Sequence, residues 1–153
     1  METIKEAAEA AMQSYRGVVE SNDQAIPMLS LLDSDDQLLI FGMQLPQELG
    51  TARGSIVLKL VHDQMRDSGM PTMRRATWVN EVWLHSFEED GSEGPLTEAI
   101  TCTIADATDC LFFTQTFVRT KDGVRWEEPQ EVDTSNLEGE MIPALRRFVT
   151  EPA

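Results

Sequence analysis

The stretch LSLLDSDDQLLIF, Leu29 to Phe41, decides how the rest of the chain is read. An apolar run enters Asp33-Ser34-Asp35-Asp36, and a second apolar run leaves it. One reading is a strand ending in the D-x-D of an aspartate nucleophile. The other is a β-hairpin that turns in water. The nucleophile reading needs a small residue and then Thr or Val after the second aspartate, leading into a loop. Asp36 and Gln37 stand there instead, and the chain resumes at once as Leu38-Leu39-Ile40-Phe41. Phosphoryl chemistry on an aspartate also needs a metal held by further carboxylates and a lysine to offset phosphate charge. Glu88-Glu89-Asp90 offers acids, but Lys59 and Lys121 lack a matching context. Aspartate side chains that bond nearby amides explain the stretch without an enzyme. The hairpin is therefore expected, with Leu29–Leu32 paired to Leu38–Phe41.

Upstream of the hairpin lies an amphipathic helix. Ile4, Ala8, Ala11, Met12, Tyr15, Val18 and Val19 share one stripe at helical spacing, and Thr3 with Glu6 forms a capping box. Downstream, Pro46 stops the second strand. A middle helix is expected from Arg53 to Asp67, with Ile56, Val57, Leu60, Val61, Gln64 and Met65 inward, ended by Gly69 and Pro71. MRRATWVNEVWLHSF, Met73 to Phe87, carries apolar residues at both parities, which marks a central strand covered on both sides. A polar tip at Glu88–Pro95 follows, then strands near Glu98–Ala105, Leu111–Thr120 and Val124–Glu127, the last entered through Asp122-Gly123. A short helix near Met141–Val149, with Pro143 in its first turn, closes the chain. The expected architecture is one α+β domain over residues 1–153. It has a mainly antiparallel sheet of five to six strands, an N-terminal amphipathic helix, a middle helix and a short C-terminal helix.

The 153 residues suffice for a buried core. The 27 acidic against 12 basic residues give a formal charge of −15. That balance repels phosphate backbones, and Arg74-Arg75 and Arg146-Arg147 are too small as basic clusters to reverse it, so nucleic-acid binding is not expected. No apolar run reaches the roughly 20 residues of a membrane span, and the N-terminus has no signal-peptide pattern. Two cysteines without a C-x-x-C or zinc spacing imply reduced thiols, a cytoplasmic protein, no metal and no cofactor.

Chemistry is sparse. His62 falls at the margin of its helix face, where an exposed or half-buried histidine is the ordinary explanation. Glu81, Trp83 and His85 share one side of a strand. Glu81 and His85 are thus the candidate catalytic pair of a small hydrolase or ligand-binding enzyme, beside an acid from Glu88–Asp90. A half-buried polar sheet face is the plainer explanation. Cys102 and Cys110 lack a neighbouring activator, and no G-x-S-x-G or P-loop occurs.

Two elements, ATWVNEVWLHS and then GPLTEAITCTIADAT, resemble a loosely defined group of uncharacterised small bacterial proteins. In that group a V-x-E-A-W strand precedes a polar loop and an E-A-hydrophobic strand. Glu81 and Trp83 match the first element, with Val82 for alanine, and Glu98-Ala99-Ile100 match the second. The resemblance implies an α+β domain and marks Trp83 and Glu98, with Glu81, as binding candidates. It transfers no reaction. The leading functional expectation is a non-enzymatic interaction or accessory protein, homodimeric or bound to a protein partner. A mimic of nucleic-acid charge is a further alternative.

Overall fold

In the computed structural model, residues 3–21, 26–42, 53–87, 89–136 and 141–150 are described. The hairpin forms. Strand β1 (Met28–Leu32) pairs antiparallel with β2 (Leu38–Gly42), Leu32 opposite Leu38 and Leu29 opposite Phe41. The amide of Asp33 donates to the Gln37 carbonyl at 3.0 Å, and that of Asp36 to the Asp33 carbonyl at 3.2 Å. Asp33 Oδ1 accepts from the amides of Asp35 at 2.9 Å and Gln37 at 2.8 Å. Asp36 sits at φ 61°, the left-handed residue that ends a three-residue hairpin loop, and its carboxylate pairs with Arg74. Asp33 is thus a turn residue, its oxygen occupied by backbone amides.

Around the hairpin, α1 (Ile4–Ser21), α2 (Arg53–Asp67), β3 (Arg75–Phe87), β4 (Glu93–Asp106), β5 (Cys110–Thr120), β6 (Gly123–Trp126), β7 (Gln130–Val132) and α3 (Met141–Thr150) follow in chain order. The strands form one antiparallel sheet in the order β2-β1-β3-β4-β5-β6, and β7 pairs with a different stretch of β5. Among the described residues seven strands are present where five or six were expected. The extra one, β7, spans only Gln-Glu-Val and is too short to leave a periodic signal.

Local chemistry fixes the helix ends. The Glu6 amide donates to Thr3 Oγ1 at 3.1 Å while Glu6 Oε1 accepts from the Thr3 amide at 3.4 Å, which closes the capping box. At the end of α2, the Met70 amide reaches the Met65 carbonyl and the Gly69 amide the Arg66 carbonyl, each at 3.0 Å. With Gly69 at φ 76° this is a Schellman ending, and Pro71 follows it.

Two cores lie on opposite faces of the sheet. On one face α1 seats Ala8, Met12, Tyr15 and Val19 against Val79, Ile100, Cys102, Ile104, Phe113 and Phe117. On the other, α2 and α3 bring Leu58, Met65, Leu145 and Phe148 onto Leu29, Leu31, Ala76 and Trp78. The face of α2 differs from expectation. Ser55, Leu58, His62 and Met65 point inward, and Leu60 is exposed. Apolar residues at consecutive positions leave the helix rotation undecided, and the contact with α3 selects it. His62 is accordingly buried, edge-on to Phe148 with ring centroids 5.3 Å apart, rather than exposed or half-buried.

Strand β4 also begins earlier than expected, at Glu93. Gly94 and Pro95 bulge opposite Ser86, where the register shifts between His85 paired with Leu96 and Phe87 paired with Glu93. A proline, which has no amide N–H to donate, is tolerated at such an irregularity.

Aspartates hold three other turns as Asp33 holds the first. Asp106 Oδ1 accepts from the amides of Thr108 at 2.9 Å and Asp109 at 2.7 Å. Asp90 and Asp133 do the same for Ser92 and Ser135. Burial pushes the Asp106 carboxyl up, but the amides of Asp109 and Thr108, the Thr108 hydroxyl and the charge of Arg146 outweigh it and hold the group below its usual range. The Ser92 hydroxyl and amide lower Asp90, and the Ser135 amide and hydroxyl lower Asp133.

Two outcomes are expected. Because these folded-state values lie below the unfolded one, their stabilisation is complete above the unfolded carboxyl pKa of about 3.9 and is lost as pH falls through the lower folded values. Urea midpoints measured from pH 7 down to pH 3 should fall steeply below about pH 4, and Asp106→Ala should flatten that fall. In the first hairpin, Asp36→Gly should stabilise by about 1 kcal/mol by relieving the left-handed backbone. Asp33→Ala should cost about 1 kcal/mol in the same denaturation assay for the lost amide acceptor.

Candidate functional site

Strand parity sends Val79, Glu81 and Trp83 of β3, Glu98, Ile100 and Cys102 of β4, and Phe113, Gln115, Phe117 and Arg119 of β5 to the α1 face. The register places Trp83 beside Glu98 beside Phe117, and Glu81 beside Ile100 beside Gln115. Along these rows the face changes from apolar to polar as it passes under the C-terminal half of α1.

Arg119 gathers that polar end. Its Nε donates to Glu98 Oε2 at 3.1 Å and its Nη2 to Glu81 Oε1 at 3.3 Å. Its Nη1 donates to the Val19 carbonyl at 3.5 Å, in the last turn of α1, where a cation is favoured. The guanidinium lies 5.4 Å from the centre of the Phe117 ring. The side chains are mostly out of water, 30 % exposed for Arg119, 14 % for Glu81 and 17 % for Glu98. Burial opposes the charge on Arg119, but its hydrogen bonds to Glu98 and Glu81 and the charges of both carboxylates raise its pKa further.

Around this centre the neighbours are also tied. The Tyr15 hydroxyl donates to the Ile26 carbonyl at 3.0 Å, and burial together with the nearby Glu81 carboxylate pushes its pKa far up. Arg16 Nη1 donates to Gln115 Oε1 at 2.9 Å, and Gln115 Nε2 donates to the Glu127 carbonyl at 2.8 Å. Trp126 packs on Phe117 with centroids 4.7 Å apart and donates its indole N–H to Glu20 at 2.7 Å. The arrangement is a clamp that ties the C-terminal half of α1 to β3, β4 and β5.

Of the residues marked from sequence, Glu81 and Glu98 meet through Arg119. Trp83 stands next to Glu98 and is 58 % exposed. The backbone of His85 pairs with Leu96, but its side chain lies outside the described residues, as does Glu88. Asp90 is occupied with Ser92. The Glu81 carboxylate therefore faces a guanidinium rather than an open cleft. From sequence Tyr15 was placed only on the apolar stripe of α1, and neither Arg119 nor Arg16 was marked as a site residue. The alternation of β5 carried the signal, since Arg119 shares its parity with Phe113 and Phe117.

Among the described residues no group of three or more His, Cys, Asp or Glu side chains is placed to hold a metal ion. No described helix is long and apolar enough to cross a membrane. The two thiols are free and lie on opposite faces, Cys102 in the α1 core and Cys110 against the other. Burial pushes Cys102 up to about 12. Burial also raises Cys110, with Arg146 pulling it back and Asp106 adding to the rise.

Arg119→Met should cost about 2 kcal/mol in urea unfolding, below the usual figure for a fully buried pair because the cluster is partly hydrated. The triple variant Glu81→Gln, Glu98→Gln, Arg119→Met should recover part of that loss by removing the uncompensated charge. With iodoacetamide at pH 8, native protein should label slowly at Cys110 and not at Cys102, and urea should release both.

Searches with the whole chain found no matching family model, no matching curated protein and no matching solved structure.

Proposed function

We propose that this is a non-enzymatic, cytoplasmic interaction or accessory protein that works as a homodimer joined through β2. One observation carries the proposal. Strand β2 lies at the end of the sheet, paired among the described residues to β1 alone, and reads Leu-Leu-Ile-Phe-Gly without a charge or a proline. Leu38 is 52 % exposed, Ile40 54 % and Phe41 40 %. Open edges that remain single are blunted by lysines, prolines, bulges or shortness, and β2 has none of the first three. Exposed Ile26 lies against Gly42 and extends the apolar surface; a methyl group at Gly42 would fall 2.7 Å from Ile26 Cδ1.

A second copy is the partner that fits. Two β2 strands related by a two-fold axis pair antiparallel and join their apolar rows across one continuous sheet. A formal charge of −15 makes copies repel over most of their surface, and this strand itself carries no acid. The clamp at Arg119 supports a structural role for Glu81, because its charge is already matched. No observation on the described residues favours the hydrolase or the charge mimic.

Light scattering on the purified chain should give twice the chain mass, with an interface above about 1,000 Å² in a crystal of the dimer. Ile40→Lys should convert it to a folded monomer. A monomer at all concentrations of the natural chain defeats the proposal.

A further inference from the structure

The sheet outruns its cover on the α1 side. Helix α1 ends at Ser21, with the Val19 carbonyl on Arg119. Strands β3 and β4 run on past that point toward their connecting turn. On this stretch Trp83 stands opposite Glu98, and Leu96 lies two residues from Glu98 along β4, so all three share one face. Trp83 and Leu96 are thus diagonal neighbours, about 7–8 Å apart and within reach of an indole. Trp83 is 58 % exposed and Leu96 50 %. A tryptophan set beside an apolar neighbour in the open is the kind of anchor on which interface energy concentrates.

Charge identifies the occupant. The β3–β4 turn carries exposed Glu89 and Asp90, the β5–β6 turn at the same end of the sheet carries exposed Asp122, and exposed Glu20 lies in the last turn of α1. Among the described residues of the two turns Lys121 is the one cation. Arg119 takes only Oε2 of Glu98. A carboxylate accepts at both oxygens, so Glu98 has a place for a second donor beside the indole. A two-fold pairing of this face would set acids against acids, and a nucleic acid or an anionic bilayer would meet the same repulsion. A cationic protein segment is attracted instead.

We propose that this face docks an extended, arginine-bearing segment of a basic protein partner, with one guanidinium stacked on Trp83 and hydrogen-bonded to Glu98, and an apolar neighbour on Leu96. Arginine suits the place better than lysine, because its plane lies flat on an indole while its edge donates to a carboxylate. The docking does not rest on the proposed dimer. Strand β1 pairs with β3 only over Arg75–Val79, so Trp83 lies beyond the β1–β2 hairpin.

The test is calorimetric titration of the full chain with a heptapeptide of alternating arginine and leucine. It is run at about 150 mM salt, where the Debye length of about 8 Å suppresses general attraction to an acidic surface. The arginine peptide should saturate at one per chain, its lysine counterpart should bind more weakly, and its glutamate counterpart should not bind. Trp83→Ala should weaken the arginine peptide about tenfold with the circular dichroism unchanged, since the side chain is exposed. Glu98→Gln should weaken it as well, and Trp83→Ala carries the test by itself if Glu98→Gln does not fold. Glu9→Gln removes an exposed acid from α1 and should leave the affinity unchanged, which separates this face from the charge of the whole molecule. Absence of saturable binding, equal binding of the glutamate peptide, full binding by Trp83→Ala, or an equal loss in Glu9→Gln overturns the proposal. These outcomes are read equally well from a monomer or a dimer, so they stand apart from the fate of pairing through β2.

Discussion

Strand β3 has no wet side over its first half, and the rest of the molecule is arranged around that constraint. Ala76, Thr77, Trp78 and Val79 are consecutive and all buried. Side chains alternate across a strand, so four buried neighbours require a cover on both faces. Antiparallel sheets commonly leave one face in water, but this one cannot. Helices α2 and α3 cover Ala76 and Trp78, and α1 is left to cover Thr77 and Val79 from the opposite side. Each fully buried large apolar side chain contributes about 1.5–3 kcal/mol, so exposing either face would outweigh the net stability of an ordinary domain. The Arg119 clamp then holds one end of α1 where the sheet turns polar.

The strength of periodic signals explains how much was legible beforehand. The capping box at Thr3, the helix stop at Gly69, the two-sided strand and the hairpin at Asp33 all rest on local chemistry, and all are present. The rotation of α2 was not legible, because Ile56, Val57 and Leu58 offer three adjacent apolar choices and only the docking of α3 decides among them. Nor was β7, whose three residues are held by pairing with β5 rather than by their own preference. For the site, Glu81, Trp83 and Glu98 could be marked from a strand pattern. Arg119, the common partner of Glu81 and Glu98, lies on β5, 21 residues beyond Glu98 and 38 beyond Glu81, and joins them through the register of two ladders that no local pattern encodes.

The acidity of the chain divides into parts with different physical roles. Asp33, Asp90, Asp106 and Asp133 act as backbone acceptors that set turns. Glu81 and Glu98 are matched by one arginine in the clamp. Glu6 caps α1, Glu20 accepts from the Trp126 indole, and Asp36 and Asp63 pair with arginines. A negative charge of this size is thus compatible with a fold whose acidic groups include several that stabilise it, and the sequence total conceals the difference.

The two ends of the sheet are unlike, and the difference bears on how far strand pairing can extend. At the β5 side the border is broken between a four-residue and a three-residue strand, with Glu127, Glu128 and Pro129 between them and Arg125 on the outer one. The β2 side is continuous and apolar. Under the proposed pairing through β2, a sheet whose other border resists a partner permits a single addition. Head-to-tail growth would need β2 to dock on the broken border, where shortness, proline and charge oppose it.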